Sequence, residues 1–132
     1  MRKERRKLTR FWVEENAYIT LGVTLPRIGR IIDISRGGLS FEYHADYLRD
    51  KTDRIILDEN FSEANIYVLR NGFSLSDLPC LVVYDVVEYI LANSFIVKKR
   101  CGVEFREITD NQAMLLRNFL ADHTTGLIVP IC

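Results

Sequence analysis

The stretch Arg30-Ile31-Ile32-Asp33-Ile34-Ser35-Arg36-Gly37-Gly38-Leu39-Ser40-Phe41-Glu42-Tyr43 decides how this chain is read. Apolar and polar residues alternate along both of its arms, the pattern of strands that bury one face. The two glycines between the arms permit a tight turn, with access to positive φ. A strand over 30–35 therefore turns through Arg36-Gly37-Gly38 into a second over 39–43, where Leu39, Phe41 and Tyr43 share a face. With Ile32 and Ile34 pointing into a core, Asp33 and Ser35 project together on the outer side. An outward carboxylate accepts hydrogen bonds from the ring N–H and exocyclic amine of guanine, and the Ser35 hydroxyl donates or accepts. The absence of a side chain at Gly38 lets a flat base approach the backbone. Taken alone, the segment equally fits an ordinary hairpin with an Asp/Ser side-chain turn.

Working outward, residues 17–25 alternate with Ala17, Ile19, Leu21, Val23 and Leu25 on one face, which predicts another half-buried strand. Further strand-like runs lie at 54–58, 66–69, 81–89 and 95–105, separated by turn-prone pairs such as Asn71-Gly72. Short strands at this spacing predict a small antiparallel barrel. Between 61 and 77 the pattern is weakest and is read as an irregular loop carrying a short hairpin. Thr109, with Gln112 three residues later, forms a capping box for a helix over about 109–123. Ala113, Leu115, Leu116, Phe119 and Leu120 make its apolar stripe, which should pack on the barrel. The apolar tail 127–131, with Pro130, is expected to cover the barrel's edge or to meet a second copy of the chain.

A length of 132 residues, 48% hydrophobic and 27% charged, suits one buried core and is short for two. Residues 1–12 are expected to be a flexible basic arm and 13–132 a single domain. No run approaches the roughly 18 apolar residues of a membrane span, and the first ten residues lack a secretory apolar stretch, so the expected location is cytoplasmic. Cys80, Cys101 and Cys132 have no C-x-x-C spacing and are read as reduced, the first two as small buried hydrophobes. His44 and His123 are the only histidines, without metal-ligand spacing, a nucleophile elbow or a phosphate-binding glycine loop, which argues against an enzyme and against a metal cofactor.

The formal net charge of zero hides an asymmetry: residues 1–10 hold Arg2, Lys3, Arg5, Arg6, Lys7 and Arg10 against Glu4 alone, on an otherwise acidic chain. Arg6 and Arg10 supply planar cationic forks that bind phosphate oxygens bidentately and match the O6/N7 edge of guanine. A basic arm beside a small barrel also describes single-strand nucleic-acid binders, the alternative reading. Against it, the acidic remainder would repel a long polyanion, and Lys98-Lys99-Arg100 reads as a solvated strand end.

Order and separation of the two motifs resemble the PilZ domain, a bacterial receptor module for cyclic di-GMP. Glu4-Arg5-Arg6-Lys7-Leu8-Thr9-Arg10-Phe11 resembles its R-x-x-x-R arm, and Asp33 to Gly38 its [D/N]-x-S-x-x-G motif. Cys101-Gly102-Val103-Glu104-Phe105 and the helix after Thr109 are similar to its closing strand and C-terminal helix, while 46–77 carries no signature. The resemblance implies a mainly β fold, a six-stranded antiparallel barrel with one C-terminal amphipathic helix. It further implies a cyclic di-GMP effector whose ligand-binding residues are Arg5, Arg6, Arg10, Asp33, Ser35, Gly37 and Gly38, with Arg6 and Arg10 taking phosphates and guanine edges while the Asp33 to Gly38 turn surrounds a guanine. Arg5, just before the first motif arginine, implies two stacked ligand molecules per protomer. Output would pass to an unidentified partner protein. A PilZ-like module that has lost its ligand and binds proteins is the remaining alternative.

Overall fold

A computed structural model of the chain describes residues 8–22, 26–47 and 61–128, the side chain of Phe61 excepted. The strand expected at 54–58, the residues Val23 and Leu25, the arginines Arg5 and Arg6, and Cys132 lie outside the described residues. Along the chain run β1 (Phe11–Val13), β2 (Ala17–Leu21), β3 (Arg27–Ile34), β4 (Gly38–Asp46), β5 (Phe61–Val68), β6 (Phe73–Ile90), β7 (Ile96–Phe105), α1 (Asp110–Asp122) and β8 (Thr124–Leu127). The strands pair in the order β2-β5-β6-β7-β4-β3, and β3 returns to β2, which closes six antiparallel strands into a barrel. Closure leaves those six strands no open edge in the paired stretches, the usual liability of a small sheet. β1 and then β8 continue outward from the end of β3.

Alternation explains the core. Ala17, Ile19 and Leu21 of β2 are wholly buried, as are Ile66 of β5, Leu75 and Leu78 of β6, and Phe41 of β4. Each such Leu, Ile or Phe is worth about 1.5–3 kcal/mol relative to exposure. On β3 the alternation slips. The inward residues are Ile31 and Ile34, and Ile32 is only partly buried, a correction to the expected Ile32/Ile34 pair. The cause is a β-bulge: Ile31 pairs with Phe41 and Asp33 with the next residue, Ser40, so Ile32 is an extra residue on β3. The bulge moves the inward position by one and keeps Asp33 on the outer side.

The segment 61–77, expected to be an irregular loop carrying a short hairpin, is a hairpin throughout and longer than expected: β5 and the first part of β6 pair from Phe61↔Leu81 to Val68↔Phe73. A second bulge disguised it. Ala64 pairs with Leu78 but Ile66 with Leu75, and Asp77 takes a left-handed φ of 59° to absorb the extra residue. The Asn65 side-chain oxygen accepts from Asp77 N–H at 2.9 Å and holds that conformation. β6 therefore begins at Phe73 and runs 18 residues, through Pro79, where two separate elements had been read.

The helix follows its sequence closely. Thr109 Oγ1 accepts from Gln112 N–H at 3.1 Å and Gln112 Oε1 accepts from Thr109 N–H at 2.9 Å, the reciprocal capping box. Gln112 Nε2 also donates to Ser76 O and Asp77 O, which ties the helix start to the β6 bulge. Leu116 and Phe119 are buried, Leu115 and Leu120 partly so, and the Phe119 ring lies 5.6 Å from Phe73 and 5.3 Å from His123. Beyond the helix, β8 pairs with β1 and Ile128 N–H donates to Arg10 O, so the described start of the apolar tail covers the edge of β1.

Candidate functional site

β3, β4, β7 and β6 lie side by side, and their register lines up one residue from each on the outer face: Asp33 opposite Ser40, Ser40 opposite Gly102, Gly102 opposite Tyr84. A cavity of about 440 Å³ opens over this row, lined also by Arg10, Ser35, Gly37, Gly38, Leu39, Val83 and Val103. That volume lies in the range of small-ligand sites. The structure thus brings together Arg10, Asp33, Ser35, Gly37 and Gly38 of the residues singled out in the sequence.

Asp33 is only 3% exposed, yet it belongs to the polar wall and not to the hydrophobic core. Its Oδ2 accepts from Arg10 Nη2 at 2.9 Å and from Ser40 Oγ at 2.9 Å, with Arg100 Nη2 at 3.5 Å. Oδ1 takes part in none of these contacts. The carboxylate is therefore ion-paired and hydrogen-bonded on one oxygen, the condition under which a buried charge is tolerated. Arg10 reaches it from a half-exposed position, since β1 pairs with β3 next to Asp33.

Ser35 is buried in the turn. Its Oγ accepts from Gly37 N–H at 3.0 Å, and its own N–H donates to Gly38 O at 2.8 Å. The serine therefore shapes the loop, and its hydroxyl retains further hydrogen-bonding capacity. Neither glycine of the turn has a positive φ, contrary to the expectation; their smallness is what the fold uses. A Cβ on Gly38 would run into the Val103 carbonyl of β7, which is backbone and cannot yield, whereas at Gly37 it would meet only the tip of the Leu8 side chain.

Lys98-Lys99-Arg100 is not a solvated strand end. Lys98 bonds Glu42 at 2.8 Å, Arg100 pairs with Asp33 and Glu88, and Lys99 faces the barrel interior with no exposure. Although partial burial alone would raise the Glu42 carboxyl, its bonds to Lys98 and Arg30 hold it below the ordinary carboxylate range. The site residues missed in the sequence are Arg100, Ser40, Gly102 and Tyr84. Arg100 and Ser40 were legible only as outward members of alternating strands; their convergence on Asp33 depends on register. A Cβ on Gly102 would collide with the Tyr84 ring, so that ring lies across the bare glycine and forms the far wall of the cavity.

Among the described residues no group of three His, Cys, Asp or Glu is placed to hold a metal ion, and no helix is long and apolar enough to cross a membrane. His44 is exposed, and His123 is buried against Glu14, with Nδ1 2.9 Å from Oε1.

The family model described as "PilZ domain" matches residues 2–122 of this chain. Among solved structures, the c-di-GMP complex of K. pneumonia MrkH is similar with a TM-score of 0.64 at 18% identity, over 89% of this chain and 52% of that one. MrkH in its apo state gives 0.62 at 17% identity, over 86% and 47%. The PilZ domain of YcgR from Escherichia coli, solved with c-di-GMP, gives 0.61 at 15% identity, over 89% and 90%. The chain thus spans about half the length of MrkH and most of the YcgR domain. At these identities the likeness is one of fold. No curated protein sequence matches the chain.

Proposed function

Because this chain belongs to the PilZ domain family, we propose that it is a receptor for cyclic di-GMP, a binding protein and not a catalyst, working in the bacterial cytoplasm. The observation that carries the reading is the 2.9 Å contact of Arg10 with Asp33 at the mouth of the cavity: one member of the basic arm motif already touches the Asp-x-Ser-x-x-Gly turn. That MrkH and the YcgR domain have been solved with c-di-GMP supports the choice of ligand.

In this reading Arg10 exchanges its bond to Asp33 for ligand phosphate and guanine edges, joined by Arg5 and Arg6, and Asp33 Oδ1 accepts from the guanine N–H groups. Ser35, Gly37 and Gly38 shape the rim around that base. The arm expected over 1–12 ends in Phe11 and Trp12, which already pair in β1; in this reading the ligand draws the arginines that precede them onto the barrel, and the new surface is read by a partner protein. Arg5 favours two stacked ligands per protomer.

Calorimetric titration of the full chain with cyclic di-GMP at fixed salt tests this. Loss of one charge-assisted contact, at roughly 1.5–3 kcal/mol, should raise Kd about 10- to 100-fold in Arg10→Ala, and Asp33→Ala should admit other purine dinucleotides. Two ligands per chain are expected, falling to one in Arg5→Ala, and amide exchange over residues 8–13 should slow with ligand. Unchanged affinity in Arg10→Ala is incompatible with the site. One ligand per chain in wild type and Arg5→Ala alike rejects the stacked pair, and exchange over 8–13 that ignores the ligand rejects the ordering of the arm.

A further inference from the structure

The cross-strand row on the outer face extends one strand past Asp33. Trp12 of β1 pairs directly with Asp33, so five residues stand side by side: Trp12, Asp33, Ser40, Gly102 and Tyr84. Directly opposed side chains on one face lie within contact distance. Trp12 and Arg10 are two apart on the same extended segment and so share that face. An aromatic residue thus closes each end of the row.

The two aromatics are used differently. Tyr84 lies across Gly102 and fills the space above a glycine, a structural task complete in the protein itself. Trp12 also has a glycine for its neighbour, Gly126 of β8, but a Cβ built there meets nothing within 4 Å, so the indole does not cover it. Trp12 is 46% exposed, and among the described residues its indole makes no hydrogen bond and no ring contact. A large, flat side chain that the fold leaves half in water, beside a buried carboxylate and the half-exposed guanidinium of Arg10, presents a free π-face to whatever those two groups hold.

We propose that Trp12 is the stacking platform of the site: its indole lies against a purine base of the ligand that Arg10 and Asp33 hold. The inference rests on the receptor reading above and assigns to it a residue that neither sequence motif contains. Stacking supplies affinity without reading the base edge, so it complements Asp33, which reads the edge.

Trp12 is the single tryptophan of the chain, and its emission therefore reports this position alone. Cyclic di-GMP is titrated into the full chain and followed by tryptophan emission and by calorimetry, with Trp12→Ala and Trp12→Phe alongside and thermal melts to verify folding. Wild-type emission should change saturably at the calorimetric Kd. Alanine substitutions at base-stacking aromatics correspond to about a 5- to 150-fold rise in Kd, the range expected for Trp12→Ala, with Trp12→Phe retaining most of the affinity. Heat of binding in the wild type with unaltered emission, or a wild-type Kd in a folded Trp12→Ala, overturns the proposal. If Trp12→Ala fails to fold, Trp12→Phe and the wild-type emission still decide it. No heat in the wild type overturns the receptor reading and this inference with it.

Discussion

Lys99 Nζ lies 3.4 Å from Asp85 Oδ1 and 5.8 Å from the centre of the Tyr43 ring, with no exposure to solvent. Tyr43 Oη donates to Asp85 at 2.8 Å, and Arg27 Nε donates to Tyr43 Oη at 3.1 Å and to Asp85 Oδ2 at 3.2 Å. Burial, reinforced by the Asp85 charge and its hydrogen bond, pushes the Tyr43 hydroxyl well above the ordinary tyrosine range, so it remains a donor. Lys99 and Tyr43 are buried, Asp85 and Arg27 partly so, and together they form a polar knot in which two cations share Asp85 with a neutral tyrosine. Removing one partner of a buried pair typically costs about 3–5 kcal/mol, because the remaining charge is left poorly compensated. Asp85→Ala should therefore lower the urea midpoint by an amount equivalent to about 3 kcal/mol or more, and a loss below about 1 kcal/mol would show that the knot contributes little. Nothing in Lys98-Lys99-Arg100 as a string marks the middle lysine as interior. Alternation around Val97, Cys101 and Val103 implies it, but a lysine is so seldom buried that composition argues the other way.

At the scale of the element, the sequence was most legible where hydrogen bonds are local. The capping box of α1 joins residues three apart, and both of its bonds are present. Thr109→Ala should cost about 1 kcal/mol, read as a lower melting temperature with unchanged far-ultraviolet dichroism; a melting temperature equal to wild type would mean that the Gln112 bonds to Ser76 and Asp77 carry the helix start by themselves. Strands were legible in number where alternation is unbroken, as in β2 and β4. They were misread where a bulge intervenes. The extra residue at Ile32 and the left-handed Asp77 each reset the phase of alternation, and both are fixed by partners on the neighbouring strand, which the strand's own pattern does not show.

Across the whole molecule, closure of the barrel buries Cys80 and Cys101, both free thiols, and burial pushes each up to about 12. A thiol whose pKa is raised by folding favours the folded state fully below the unfolded value of about 8.5, and that contribution is lost as pH climbs from there toward 12. Native protein at pH 8 should therefore leave Cys80 and Cys101 unmodified by iodoacetamide and label them only as it unfolds. Labelling of either, mapped by mass spectrometry, at the rate of a free thiol would contradict that burial. Outside the closed ring, β1 pairs alongside β3, so that an arginine 23 residues from Asp33 in sequence lies 2.9 Å from it in space.

What the chain declares in one dimension is the part governed by short-range rules: the capped helix, the hairpin, the presence of a barrel, and the two polar motifs with Asp33 turned outward. Folding alone decides the rest, because bulges depend on the cross-strand partner rather than on the strand's own pattern, and the register of non-consecutive strands and closure depend on contacts between residues tens of positions apart. It turned Lys99 inward, gave the turn glycines a steric instead of a conformational role, and set Trp12, Asp33, Ser40, Gly102 and Tyr84 in one row. A strand's pattern states which residues share a face, whereas only its neighbours state which residues of other strands stand beside them.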